Sequence, residues 1–248
     1  MLLDLARALD RSLIAADCGI DELDAWQADV LRSDEPRMIL LAARQVGKTL
    51  TTALKAVSTA TLKPGALILI LSPSQRQSGE MFRVVLGLLK RMKDGPQIVA
   101  ESALRCELQN GSRICALPSS ESTIRGFSAV DLIICDEAAR IPDELFGAVR
   151  PMLATSGGSL IMLSTPAGRR GAFFDTWHDE NNTWKKVKVA ASDCPRISKE
   201  FLDSELRELG QKLFESEYGL VFHDSDEAMF ASAAIEAAFS PEVSPLWH

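Results

Sequence analysis

The sequence predicts an α/β domain with a mainly parallel central sheet flanked by helices. Two observations predict it. Short apolar runs of strand length alternate with longer stretches whose apolar residues recur at helical spacing. Two of the runs, Met38 to Leu41 and Leu132 to Cys135, also end in residues of the kind that gather beyond the carboxyl ends of parallel strands. With 248 residues and 46% hydrophobic content, the chain can bury a large core.

Taken in order, apolar periodicity predicts leading helices over about 2–16 and 24–32 and a strand over 37–42. A helix follows the glycine at 47, then a strand over 66–71 and a helix over 75–93. Leu104 to Leu108 and Arg113 to Leu117 flank Asn110-Gly111, a dipeptide that accepts the positive φ of a tight turn, and so predict a β-hairpin. The run at Leu132 is the next strand. A helix near 142–153, a strand over 159–164 and a helix near 170–179 complete the alternation.

After Ala191 the pattern becomes helical, with Phe201, Leu202, Leu206 and Leu209, then Phe214, Tyr218 and Val221, at helical spacing. The expected organisation is a core over 1–191, a small helical lid over 192–230 and a linker-like tail over 231–248.

The first candidate site is LAARQVGKT, Leu41 to Thr49. Its spacing, Ala42-x4-Gly47-Lys48-Thr49, is that of a phosphate-binding loop with alanine in place of the first glycine. Backbone N–H groups around Gln45, Val46 and Gly47 can turn inward as a nest, adding to the positive end of the following helix. Gly47 must be small there. Lys48 would reach the β/γ-phosphates and the Thr49 hydroxyl would hold Mg²⁺, so the expected cofactors are ATP and Mg²⁺.

The second candidate is the end of VDLIICDE, Val130 to Glu137. Where the chain leaves the sheet, both carboxylates can face the crevice: Asp136 would hold Mg²⁺, and Glu137 would polarise the attacking water.

Composition excludes several other chemistries. Five cysteines without C-x-x-C spacing argue against a disulfide framework or zinc site, and three histidines argue against histidine-based metal or triad chemistry. No apolar stretch reaches membrane-spanning length. A net charge of −7 excludes a uniformly basic surface, although Arg83, Lys90, Arg91 and Lys93, or Lys185, Lys186 and Lys188, would suit either local phosphate contact or a solvated face.

Together the motifs resemble the ATPase domain of a large terminase subunit, the motor that packages viral DNA. Trp26-Gln27 is similar to the adenine-side motif of that family. Ala42 to Thr49, with Arg44 inside it, is similar to its Walker A, SPSQRQS (Ser72 to Ser78) to the segment after the second strand, and Thr123-Ile124-Arg125-Gly126 to its arginine-glycine element. LIMLSTPAG (Leu160 to Gly168) is similar to its coupling motif, and FESEYGLVFHDSDEAMF (Phe214 to Phe230) to the segment closing the motor domain.

The resemblance implies a RecA-like P-loop fold and Mg-dependent ATP hydrolysis. It also implies double-stranded DNA, a portal protein and a small terminase subunit as partners, a homo-oligomeric ring that could be a monomer in isolation, and the host cytoplasm as location. A helicase-like translocase and a non-hydrolysing, nucleotide-dependent assembly module are the rival readings. Large terminase subunits continue into a nuclease, and Asp224, Asp226 and Glu227 lack the partners for one, so DNA cleavage is expected to be absent.

By the same resemblance Gln27 would meet the adenine edge, while Trp26 would stack or bury. Arg44 would approach the γ-phosphate or strut against an acidic neighbour. Arg125 would act across subunits as an arginine finger, and Ser164 and Thr165 would bond water or phosphate or cap a helix.

Overall fold

The computed structural model describes residues 2–119, 124 and 126–224. Eight strands form one sheet in the order β3-β4-β5-β2-β6-β7-β1-β8. They are β1 (Arg37–Ala42), β2 (Leu67–Ser72), β3 (Ile98–Glu101), β4 (Arg105–Leu108), β5 (Arg113–Pro118), β6 (Leu132–Asp136), β7 (Ser159–Ser164) and β8 (Lys185–Val189). All pairings from β5 through β8 are parallel, and β3 and β4 add an antiparallel margin. The α/β, mainly parallel fold is thus the one the alternation predicts.

The helices are α1 (Leu2–Leu9), α2 (Ile14–Asp17), α3 (Ala25–Arg32), α4 (Lys48–Leu62), α5 (Gln75–Arg91), α6 (Asp143–Met152), α7 (Gly171–His178), α8 (Lys199–Leu209) and α9 (Gln211–Glu217). Strand alternation divides the core between the two faces of the sheet. Ile39, Leu41, Leu69, Ile133 and Cys135 face α6, α7 and the segment around Tyr218, whereas Met38, Leu40, Ile68, Ile70 and Ile134 face α3, α4 and α5. The five cysteines are buried and unpaired.

Two details differ from expectation. The leading helix stops at Asp10, whose carboxylate accepts from Ser12 N at 2.9 Å and caps a short 3-10 turn in competition with the helix. Arg32 then grips the same carboxylate, 3.0 Å from each oxygen. The predicted hairpin forms, with Gly111 at φ 82°, but β3 extends it into a three-stranded margin. At the opposite edge, Lys185, Lys186 and Lys188 lie on β8, where charge on an edge strand disfavours pairing with another chain. Arg83 and Lys90 pair with Glu80 and Glu101, as on a solvated face.

The helical segment after 191 consists of α8 and α9. Ser198 caps α8, its side chain accepting from Phe201 N at 3.2 Å, and Tyr218 donates to Glu205 at 2.7 Å to tie the segment together. Two backbone bonds join it to the core: Ala191 N donates to Tyr218 O and Arg44 N to Glu217 O. The expected tail over 231–248 lies outside the described residues, as do Asp226 and Glu227 of the acidic group. Among the described residues no helix is long and apolar enough to cross a membrane.

A candidate nucleotide site at the carboxyl edge of the sheet

β1 delivers the chain to residues 43–47 at the carboxyl edge of the sheet. Gln45 and Gly47 there adopt positive φ of 65° and 97°. These alternating reversals make the loop concave, and the first amides of α4 have no acceptor within their own helix. A Cβ on Gly47 would lie 2.7 Å from Gln27 Nε2, so the position is restricted by both its φ and its space. Ala42 and Val46 are fully buried, and Ala42 stands without strain where the motif has its first glycine.

Lys48 opens α4 and is largely buried, its Nζ 3.7 Å from Glu137 Oε1. Thr49 follows, half-buried. Asp136 ends β6 at 8% exposure and accepts from the Glu137 amide at 3.1 Å. Burial, followed by the adjacent Glu137 charge, pushes the Asp136 carboxyl up to about 6, against the opposing pull of Lys48. Glu137 itself sits at φ 51°, an uncommon conformation for a side chain of its size. That reversal, directly after the strand, leaves its carboxylate between Lys48 and Arg140, the latter at 2.6 Å.

β7 ends beside β1, with Ser164 opposite Leu41. Ser164 Oγ is buried without a hydrogen-bond partner among the described residues, and so is Ser72 Oγ at the same end of β2. Thr165 Oγ1 lies 3.4 Å from Arg140 Nη1. The loop, both carboxylates and the Ser164-Thr165 pair therefore meet at one edge of the sheet, where the sequence places them.

Two of the expected nucleotide contacts have partners within the fold. Arg44 takes the strut position of its two readings: Nε contacts Glu217 Oε2 at 3.0 Å, and the side chain is 62% exposed. Gln27 is 2% exposed with both ends of its amide engaged, Oε1 accepting from Asp24 N at 2.9 Å and Nε2 donating to Thr51 at 3.0 Å. One lone pair of Oε1 and one of the two Nε2 N–H donors are thus taken up by the start of α3 and by α4, so Gln27 braces these two elements. Trp26 packs partly buried against both core clusters, consistent with the core reading. Arg125 and Thr123 lie outside the described residues.

Three participants were missed in the sequence. Arg140 bonds Glu137 and approaches Glu217, whose largely buried carboxylate also holds Arg44. The result is a charge chain from the P-loop through α9 to the end of β6. The i, i+3 spacing of Glu137 and Arg140 is the one local signal that could have revealed part of it. Arg196 lies against Asp24 and Val46. Among the described residues no cluster of three or more His, Cys, Asp or Glu could hold a metal by itself.

Residues 39–237 match the family described as terminase large subunit, T4likevirus-type, N-terminal. The chain belongs to the terminase large subunit family. A curated terminase large subunit from Thermus virus P23-45 is 27% identical over 161 residues, which cover 57% of this chain and 33% of that protein. The aligned part thus spans about a third of the length of that relative.

Among solved structures, the large terminase ATPase domain of Thermus phage P74-26 superposes with a TM-score of 0.73 at 20% identity, covering 84% of this chain and 96% of that one. The large terminase of a thermophilic bacteriophage in complex with ATP-gamma-S gives 0.67 at 16% identity, over 81% and 53% of the two chains. At these identities the superpositions establish a shared fold, that of RecA-like terminase ATPase domains.

Proposed function

We propose that this terminase domain is a magnesium-dependent ATPase that powers translocation of double-stranded viral DNA into a procapsid. The observation that carries the reading is the facing of Lys48, on the loop, and the adjacent carboxylates of Asp136 and Glu137 across the mouth of a parallel sheet. Family membership supports the motor assignment, and the ATP-gamma-S complex of a fold relative supports ATP as the nucleotide.

Loop amides and Lys48 bind the phosphates. The donor set at the mouth is oxygen-only, comprising the Thr49 hydroxyl and the Asp136 carboxylate, which suits a hard divalent cation. A cation there would also offset the burial, and then the adjacent Glu137 charge, that raise Asp136. Bound Mg²⁺ would neutralise charge developing on the phosphoryl oxygens. Glu137 polarises the attacking water once its carboxylate is released from Lys48 and Arg140. Ser164 and Thr165, next to the Arg140 contact, would sense that change through buried hydroxyls.

Arg125 would serve a neighbouring subunit in a ring, with the portal protein and small terminase subunit as further partners in the host cytoplasm. The segment over 192–230, which carries α8 and α9, would act as the lid. Hydrolysis of Mg·ATP, with and without double-stranded DNA, tests the reading; an assembled protein with no turnover under either condition would refute it. Mixing Arg125→Ala with Glu137→Gln chains tests the finger, because complementation in demonstrated rings requires an arginine acting in trans.

A further inference from the structure

Arg196, in the stretch between β8 and α8, touches the P-loop from far along the chain. Its Nη1 and Nη2 donate to the two carboxylate oxygens of Asp24 at 2.7 and 2.8 Å, and Nη2 also donates to Val46 O at 3.2 Å. The contacts continue beyond Asp24. Asp24 N donates to Gln27 Oε1 at 2.9 Å, Gln27 Nε2 donates to Thr51 Oγ1 at 3.0 Å, and the Thr51 hydroxyl donates to Gly47 O at 3.0 Å. The two ends of this chain fall on consecutive carbonyls of the loop, so the contacts close into a ring around the Val46–Gly47 segment.

We infer that this ring is a positioning device for phosphate binding, with Arg196 as its positioning residue; the inference rests on the loop being a phosphate site. In a trans peptide the C=O and N–H point in opposite directions. Val46 O shares a peptide plane with Gly47 N–H, and Gly47 O shares one with Lys48 N–H. Fixing both oxygens on the ring side fixes both hydrogens on the other side, where an anion is to be held. The guanidinium against Val46 O also polarises that peptide and strengthens its N–H as a donor.

Gly47 fits the same arrangement, since a Cβ there would meet Gln27 Nε2 at 2.7 Å and Arg196 Nη2 at 3.7 Å. The ring closes over a glycine. Arg196 comes from the segment that leads into α8, so the start of the helical segment and the phosphate loop are one mechanical unit.

The test is calorimetric binding of Mg·ADP, with steady-state ATP hydrolysis, for wild type, Arg196→Ala, Arg196→Lys, Asp24→Ala and the Arg196→Ala/Asp24→Ala double variant. Arg196→Ala should weaken ADP about tenfold, the loss expected from removing one charged hydrogen-bond donor. In turnover the loss should fall on KM rather than kcat. Arg196→Lys should recover part of the affinity, because an ammonium can reach one acceptor but cannot hold the carboxylate with two parallel bonds.

Asp24→Ala should weaken ADP as well, and the double variant should bind no more weakly than the worse single one, as expected for two members of one ring. Because Arg196 is 54% exposed, its melting temperature without nucleotide should stay at the wild-type value. Wild-type affinity in Arg196→Ala, or losses that multiply in the double variant, overturns the ring while leaving the phosphate loop standing. A wild-type chain that binds no ADP overturns both.

Discussion

Two buried lysines about two turns apart on α4 do opposite jobs. Lys55 donates to Leu31 O at 2.9 Å and Ser33 O at 2.6 Å, the carbonyls left without partners where α3 ends. Among the described residues Lys48 has only a long contact, 3.7 Å, to a carboxylate that itself sits in a left-handed turn. Folding engages one cation closely and the other only at long range.

The same contrast separates the two ends of the sheet. At the amino ends, Lys63 pairs with Asp131, which caps Leu67 N, and Arg37 donates to Gly158 O. At the carboxyl ends stand the crowded Asp136 and the unpartnered hydroxyls of Ser72 and Ser164. Unpartnered hydroxyls are not confined to that edge, since Ser58 Oγ on α4 is also buried without a partner among the described residues; the difference between the two ends lies in their charged groups.

The largest effect should come from Glu137→Gln, which keeps the shape of the side chain and loses its charge. Hydrolysis should fall by about 10²–10⁴ while equilibrium binding of ATP persists. Measured turnover near wild type would remove Glu137 from the chemistry. Next, Lys48→Ala should weaken ATP about tenfold to a hundredfold in a titration, with the melting temperature of the free protein unchanged.

Lys55→Ala should invert that pattern. Denaturant unfolding should show a loss of about 2–4 kcal/mol, because two helix-end carbonyls lose their donor and a buried stem is removed, while ATP affinity stays at the wild-type value.

The smallest effect is a pH slope. Burial lowers Lys55 from its ordinary 10.5 to about 8 in the folded protein. Between those values the unfolded chain holds more protons, so this group makes stability rise with pH through that window. Relative to Lys55→Met, wild-type stability should climb between about pH 8 and 10.5; parallel curves for the two proteins would show that Lys55 is not desolvated as described.

Much of this was legible in the letters because it is local. Strand-length apolar runs, Asn110-Gly111 and the two site motifs carry their geometry within a few residues, and each forms where expected. The break at Asp10 was missed because a capping carboxylate can override helical periodicity, and β3 because three of its four residues are exposed and offer no burial pattern. Arg140, Glu217 and Arg196 were invisible for a different reason: sheet order and the return of the chain after β8 create most of their contacts. The strut at Arg44 and the brace at Gln27 belong to the same class, since only the folded chain supplies their partners.

The most direct test of the central claim is one melting experiment on three proteins, wild type, Lys48→Ala and Lys55→Ala, each with and without saturating Mg·ADP. Ligand that binds only the folded state raises the melting temperature according to its affinity. The account predicts that wild type and Lys55→Ala gain comparable increments, the latter from a lower starting point, and that Lys48→Ala gains much less. A Lys48→Ala protein stabilised as much as wild type would contradict it.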